Sequence, residues 1–320
     1  MFELKTIGNT PMIKINYEYE GKEKYIYTKL EYYNLTGSIK DRVAYYILKN
    51  AYKKGKLKKD MPIIEATSGN TGISLSALGA LYNHKVYIFM PDWASKERIN
   101  LMKSYGAQIV LFSKEEGGFI RCVNEAEKMA KQKNAFLADQ FANKDNFLAH
   151  YETTGEEIIK QLPEEVSAFV SGIGTGGTLM GIGKKLKENF KDLKIVALEP
   201  EKMPLLSGGK IKGQHRIEGI GDDFIPELVD RKAIDEIILI DDEDAINMSR
   251  KLSKELGLGV GISSGANFIA SVIFNNKMKL PVITVFADDN KKYLTTDLSK
   301  PINNNHNFIS NKIKLKNFEI

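Results

Sequence analysis

The sequence predicts an α/β protein: two three-layer α/β/α domains on largely parallel sheets, with a ligand cleft between them. Three observations point there. Short apolar strands rich in β-branched residues alternate with helical segments along most of the chain. Those strands read as continuous apolar runs, the pattern of strands covered on both faces. The length of 320 residues allows one large domain or two ordinary ones with well-buried cores.

In chain order, residues 12–31 alternate apolar and polar side chains around Glu20-Gly21-Lys22 and read as a hairpin. Residues 62–66 form the first buried strand. The helix after it spans 71–82, with apolar Ile73, Leu75, Leu78 and Leu81. Residues 86–90 are strand, 96–105 helix, 108–112 strand and 121–133 a long helix. Strand returns at 135–138 and helix at 146–162. Later strands fall at 168–173, 194–199, 237–240 and 282–286. A break near residues 140–150 divides the chain into an N-terminal domain, 1–145, and a C-terminal domain, 146–320. The Asn-rich tail from Asn303 is expected to be poorly ordered.

Composition excludes several function classes. Hydrophobic content of 42% and charged content of 27% are ordinary for a soluble globular protein. The net charge of +5 comes from 46 basic and 41 acidic residues. Pairs such as Lys53-Lys54 and Lys58-Lys59 are interrupted, which marks a solvated surface rather than a nucleic-acid groove. No apolar run reaches membrane-spanning length, and Met1-Phe2-Glu3-Leu4-Lys5 carries no signal core, so a cytoplasmic location is expected. Cys122 stands alone and reads as a packing residue, in keeping with a reducing compartment. His84, His150, His215 and His306 lack metal-ligand spacing, and no metal site is expected.

Five loops carry the chemistry. In Thr36-Gly37-Ser38-Ile39-Lys40-Asp41-Arg42, Ser38 is a good N-cap and Lys40 falls in the first helical turn. The positive helix end disfavours a cation there and lowers the amine pKa, as a Schiff-base lysine needs, although most lysines are simply exposed. Thr67-Ser68-Gly69-Asn70-Thr71-Gly72 lies between strand and helix and suits a carboxylate, or is a plain capping turn. Gly172-Ile173-Gly174-Thr175-Gly176-Gly177-Thr178 reads as a phosphate cradle. Gly172, Gly174 and Gly177 also meet dinucleotide spacing, with Glu199 ending the next strand, so a nucleotide-dependent oxidoreductase is a second reading. Glu218-Gly219-Ile220-Gly221-Asp222-Asp223-Phe224 puts two carboxylates after a glycine turn. Gly261-Ile262-Ser263-Ser264-Gly265-Ala266-Asn267 enters another helix. A lysine, an anion pocket, a phosphate cradle and a hydroxyl pair together match what pyridoxal phosphate asks of a protein. The oxidoreductase reading leaves the first two loops without a task.

The segments Gly37-Ser38-Ile39-Lys40-Asp41-Arg42, Thr67 to Gly72, Gly174 to Thr178 and Gly261 to Gly265 occur in an order that closely resembles the cysteine synthase (O-acetylserine sulfhydrylase) and cystathionine β-synthase family of fold-type II pyridoxal-phosphate enzymes. Met90-Pro91, Tyr105-Gly106-Ala107, Gln140-Phe141, Thr153-Thr154-Gly155-Glu156 and Leu206-Ser207-Gly208-Gly209-Lys210 match as well. The resemblance covers residues 4–300 or so.

The resemblance implies pyridoxal 5′-phosphate in the cleft, with Lys40 as Schiff base and Cα proton carrier. It implies Asn70 at the cofactor's 3′-oxygen and Gly174, Thr175, Gly176, Gly177 and Thr178 at its phosphate. Ser263 would face the pyridine nitrogen, where a hydroxyl favours β-elimination over transamination. Thr67, Ser68, Asn70, Thr71, Gln140 and Gly219 would hold the substrate. It further implies a hairpin at about 12–35 crossing to the C-terminal domain, a homodimer, and replacement at Cβ through an α-aminoacrylate.

Two departures refine this. Relatives usually carry small residues where Asp222 and Asp223 stand. A carboxylate there repels anionic hydrosulfide and can act as general base toward a neutral nucleophile. The expected reaction is therefore L-cysteine plus water to L-serine plus hydrogen sulfide, with Lys40, Asp222 and Asp223 as catalytic candidates. The alternative is cysteine synthase activity, or replacement by a thiol to form cystathionine or lanthionine. The second departure is Ala287-Asp288-Asp289-Asn290, where relatives often have Pro-Ser.

Overall fold

The computed structural model describes residues 4–300 and 307–320. The chain opens with a ribbon, β1 (Met12–Tyr19) and β2 (Lys22–Leu30). Glu20 and Gly21 close it, both at positive φ (49° and 74°), the turn geometry that follows strand twist. After α1 (Lys40–Lys53) come β3 (Ile63–Ala66), α2 (Asn70–Leu81), β4 (Val86–Pro91), α3 (Lys96–Ser104), β5 (Gln108–Phe112), α4 (Gly118–Lys133) and β6 (Phe136–Leu137). Their strands form a four-stranded parallel sheet in the order β5-β4-β3-β6.

α5 (Lys144–Ala149) and α6 (Gly155–Gln161) lead into β7 (Ala168–Gly172), α7 (Gly177–Asn189), β8 (Lys194–Pro200), β9 (Glu236–Ile240), α8 (Asp242–Leu256), α9 (Ile262–Asn275), β10 (Val282–Phe286), α10 (Ile309–Lys312) and β11 (Lys314–Glu319). The second sheet has seven strands in the order β11-β1-β2-β10-β7-β8-β9. From β2 to β9 the pairs are parallel, and β1 runs antiparallel to both its neighbours. The first hairpin thus belongs to the larger sheet.

Both sheets are covered on both faces. On the small sheet, Val43, Ile47 and Leu48 of α1 pack with Ile73 and Leu78 of α2 over Ile63 and Ile88, while Cys122, Ala126 and Ala130 of α4 cover Ile64 and Phe89. On the large one, Ile246, Leu252, Phe268 and Ile269 cover one face, and Leu179, Ile182 and Leu186 the other. Each fully buried Leu, Ile or Phe contributes about 1.5–3 kcal/mol. Such burial holds the strand ends, and hence the loops on them, in place.

Two expectations need correction. Residues 146–162 are not one helix: α5 and α6 are joined by a π-helical turn, His150–Thr154. The turn packs closely on α7, where a Cβ on Gly181 would lie 2.5 Å from the Phe147 carbonyl oxygen and 2.9 Å from the His150 Cβ. The wider turn sets the buried His150 Nε2 3.2 Å from the Thr178 hydroxyl at the head of α7. The tail is also better built than expected. Residues 301–306 lie outside the described residues, but from Asn307 onward the chain is held. Asp244 accepts hydrogen bonds from the Ile309 and Ser310 amides at 2.8 and 2.9 Å, Ile313 is fully buried, and β11 pairs with β1. α8 goes beyond the expectation too, with Asp241 capping its start and Gly257 (φ 70°) its end.

We propose residue 145 as the division between the two lobes. It falls within α5, where the lobes meet. There Asp145 accepts a hydrogen bond from Asn50 of α1 at 2.9 Å, and Asn146 donates one to Thr175 ahead of α7 at 2.8 Å.

Candidate active site

The carboxyl ends of the two sheets face a common cavity, the usual position of a ligand in open α/β sheets. Its lining includes Lys40, Thr67, Ser68, Asn70, Thr71, Gln140, Gly174, Thr175, Gly176, Thr178, Gly219, Asp222 and Ser263. Of the residues singled out in the sequence, Gly177 and Asp223 stand outside it. Gly177 is the first residue of α7 and packs against Asn146, whose Oδ1 would lie 2.0 Å from a Cβ there. Asp223 is exposed and lines a vestibule of about 960 Å³ outside the cavity. Ser68, Glu218, Gly219, Ile220 and Asp222 border both spaces.

The lysine loop is pinned from two sides. Asp41 accepts from the Thr36 amide and hydroxyl at 2.7 and 2.6 Å, folding the loop onto the start of α1. The Ile39 amide donates to the Ala287 carbonyl at 2.8 Å, fixing the loop on the end of β10. The N-cap position is Ile39 rather than Ser38, and no side chain caps it. The Ser38 hydroxyl nevertheless accepts the Lys40 amide at 3.3 Å. Burial lowers the Lys40 pKa, against the pull of the Asp222 and Asp288 charges.

The Thr67 to Gly72 loop is equally fixed. Thr71 donates to Gln140 Oε1 at 2.6 Å, and Gln140 Nε2 donates to the Ala66 carbonyl at 3.0 Å. Beneath them Glu65 accepts from the Ala66 and Gln140 amides at 2.8 and 3.1 Å. Burial still pushes the Glu65 carboxyl up to about 8.

At the head of α7, Gly174 and Gly176 (φ 88°) are required by space. A Cβ would lie 2.3 Å from the Gly219 carbonyl oxygen at the first and 2.6 Å from Val229 Cγ2 at the second. Bare backbone at a helix start is an anion site. A buried amine, this cradle, the hydroxyl of Ser263 and the Asn70 amide on the cavity wall, with one Nδ2 hydrogen free, fit pyridoxal phosphate. Burial, with the Asp223 charge beside it, pushes the Asp222 carboxyl up to about 6, while Lys40 pulls it down.

The cavity wall also includes Phe141, Glu218 and Asn267, which the sequence motifs contain without a role of their own, and Arg98, which lies outside every motif. Arg98 lies behind the second loop, and a Cβ on Gly69 would come 2.3 Å from its Cδ. It pairs with Glu218 and stacks over Tyr293, 4.5 Å from the ring centre. Only its distance from the loop motifs hid it. Asp288 was flagged as a departure without a role. Among the described residues no cluster of His, Cys, Asp and Glu could hold a metal ion, and no helix is long and apolar enough to cross a membrane.

The pyridoxal-phosphate dependent enzyme family matches residues 4–285. The cysteine synthase of Staphylococcus aureus is 39% identical over 295 residues, 91% of this chain and 94% of that protein. A probable cysteine synthase of Bacillus subtilis is 41% identical over 298 residues, 91% of this chain and 95% of its own. Among solved structures, a hydrogen sulfide-producing enzyme of Fusobacterium nucleatum superposes with a TM-score of 0.93 at 50% identity, over 97% of this chain and 95% of that one. Geometry, cofactor fit and likeness converge: the chain belongs to the cysteine synthase family of pyridoxal-phosphate-dependent enzymes, with the fold-type II architecture.

Proposed function

We propose that this enzyme takes L-cysteine, expels hydrogen sulfide and adds water at Cβ to give L-serine, with Asp222 as general base. One observation carries the reading: Asp222 lines the cavity that holds Lys40, while Asp223 is exposed. The similarity to a hydrogen sulfide-producing enzyme at 50% identity supports it.

When bound, pyridoxal phosphate supplies the electron sink that acidifies Cα and lets Cβ lose its substituent. The residues supply the rest. Thr67, Ser68, Asn70, Thr71, Gln140 and Gly219 orient the substrate. Lys40 holds the cofactor, takes the Cα proton on Nζ and later returns it. The Cβ–S bond breaks, and the sulfur leaves with a proton from the Asp222 carboxyl. As a carboxylate, Asp222 then takes a proton from the water whose oxygen bonds to Cβ. A carboxyl near 6 can do both at neutral pH. Asn70 would meet the cofactor's 3′-oxygen and Ser263 its pyridine nitrogen. The cradle from Gly174 to Thr178 would hold the phosphate, with Gly177 serving it as the head of α7. The working unit is a homodimer.

Cysteine synthase activity is the second reading, favoured by the curated relatives at 39% and 41% identity. Incubation with L-cysteine, with serine, pyruvate and sulfide measured, separates the two. Serine and sulfide in equal amounts are expected. Absence of sulfide, with rapid cysteine formation from O-acetylserine, would overturn the proposal.

A further inference from the structure

Asp288 stands one residue beyond the flank of β10 and touches three of the cavity loops at once. It forms an isolated antiparallel bridge with Ser38 of the lysine loop. Its carbonyl accepts the Gly261 amide at 3.0 Å, at the entry to the Ser263 helix. Its carboxylate reaches the third loop, where Asn70 Nδ2 donates to Oδ2 at 2.8 Å. The residue is 1% exposed, and its other oxygen, Oδ1, is buried without a partner beside Gly261. A Cβ on Gly261 would come within 2.0 Å of that oxygen, so the contact exists because Gly261 has no side chain. Tyr293 donates to Oδ2 at 2.7 Å, and Arg98 stands 3.8 Å away.

A carboxylate only accepts hydrogen bonds. An asparagine beside it must turn its NH₂ group inward, because the opposite flip would set carbonyl oxygen against carboxylate oxygen. Asn70 is therefore held in one amide orientation. One Nδ2 hydrogen is spent on Asp288, and the second remains. Asn70 itself lines the cavity.

From this geometry we infer that Asp288 is a positioning residue. It locks the Asn70 amide in the orientation that meets the cofactor's 3′-oxygen, and it ties that contact to the lysine and serine loops. A serine, frequent in relatives here, is too short to bridge in the same way. The inference rests on the cofactor contact of Asn70 and not on the role of Asp222.

The test is a double-mutant cycle on reconstituted enzyme, with the dissociation constant of pyridoxal 5′-phosphate read from Trp93 fluorescence and from cofactor absorbance. Asn70→Ala is expected to weaken binding about tenfold, the loss of one good hydrogen bond. Asp288→Ala is expected to weaken it by a similar factor. The double variant should bind no more than about twofold worse than Asn70→Ala alone. Asp288→Asn, which can still offer an acceptor, should restore binding to within about threefold. Additive losses in the cycle would overturn the lock. An unchanged Asn70→Ala would overturn the cofactor contact and the lock with it, while leaving serine formation through Asp222 standing. Circular dichroism melts verify folding, and if Asp288→Ala does not fold, Asp288→Ser takes its place in the same cycle.

Discussion

Two Asp-Asp pairs, 222–223 in the long segment between β8 and β9 and 288–289 just beyond β10, are folded to opposite purposes. In both pairs the first aspartate turns inward, Asp222 onto the cavity wall and Asp288 into a buried position behind Asn70, and the second turns away. Asp222 borders the cavity and Asp223 is exposed. Asp288 is buried against Asn70 and Tyr293, while Asp289 turns toward Lys291 and the Gly37 turn. Neighbouring extended residues point to opposite sides, so a pair supplies one inward carboxylate. What differs is the company. Asp288 is clamped by donors within 2.8 Å, whereas the influences on Asp222 are burial, a like charge and a more distant lysine. A clamped carboxylate orients its neighbours, and a loosely held one is available to carry protons.

The largest effect that could break this contrast is on turnover. Asp222→Asn should lower serine formation from L-cysteine at least about 100-fold, the usual worth of a general base. Asp223→Asn should change it less than about threefold. Equal losses in the two variants would erase the distinction between inward and outward members. At the other loop, Gly261→Ala drives a Cβ toward Asp288 Oδ1 and should cost about 1–3 kcal/mol in stability. Denaturant unfolding measures this, and an unperturbed variant would mean that the Asp288 clamp has slack. In pH profiles, serine formation should fall above about pH 6 as Asp222 loses the proton it gives to the leaving sulfur, and that limb should be absent in Asp222→Asn.

The same contrast shows what the sequence could disclose. Strands at 108–112 and 282–286 coincide with β5 and β10, because continuous apolar β-branched runs have few other places to go. Four of the five loops were legible since their glycines and hydroxyls sit at helix starts, whereas Glu218 to Phe224 lies between β8 and β9 with no α-helix after it. The cavity gathers them because parallel strands all deliver their carboxyl ends to one side. Which aspartate faces inward was not legible, as it depends on the turn at Gly221 (φ 71°) pressed against Pro200. Arg98 was hidden for a different reason. It lies on α3, far in sequence from the loops it serves, and its partners Glu218 and Asp288 come from the other lobe. The π turn at His150 packs against Gly181 of α7, a contact between helices that no local pattern encodes.

The smallest effect lies in stability. The Asp222 carboxyl is raised from its ordinary 3.8 to about 6, so the folded protein holds this proton more tightly than the unfolded chain. Folding then loses stability as pH climbs from about 4 to 6, and the full penalty stands above that window. Two units amount to at most about 3 kcal/mol. Asp222 is only half-buried, and solvent screening reduces this to the order of 1 kcal/mol. Asn carries no such penalty. Asp222→Asn apoenzyme should therefore melt about 2 °C above the parent at pH 8 and level with it near pH 4. Asp288→Asn should instead lower the melting temperature, because the Asn70 and Tyr293 donors that satisfy the carboxylate are then left to a weaker acceptor. A melting temperature raised in Asp288→Asn as it is in Asp222→Asn would show that both inward carboxylates are held alike.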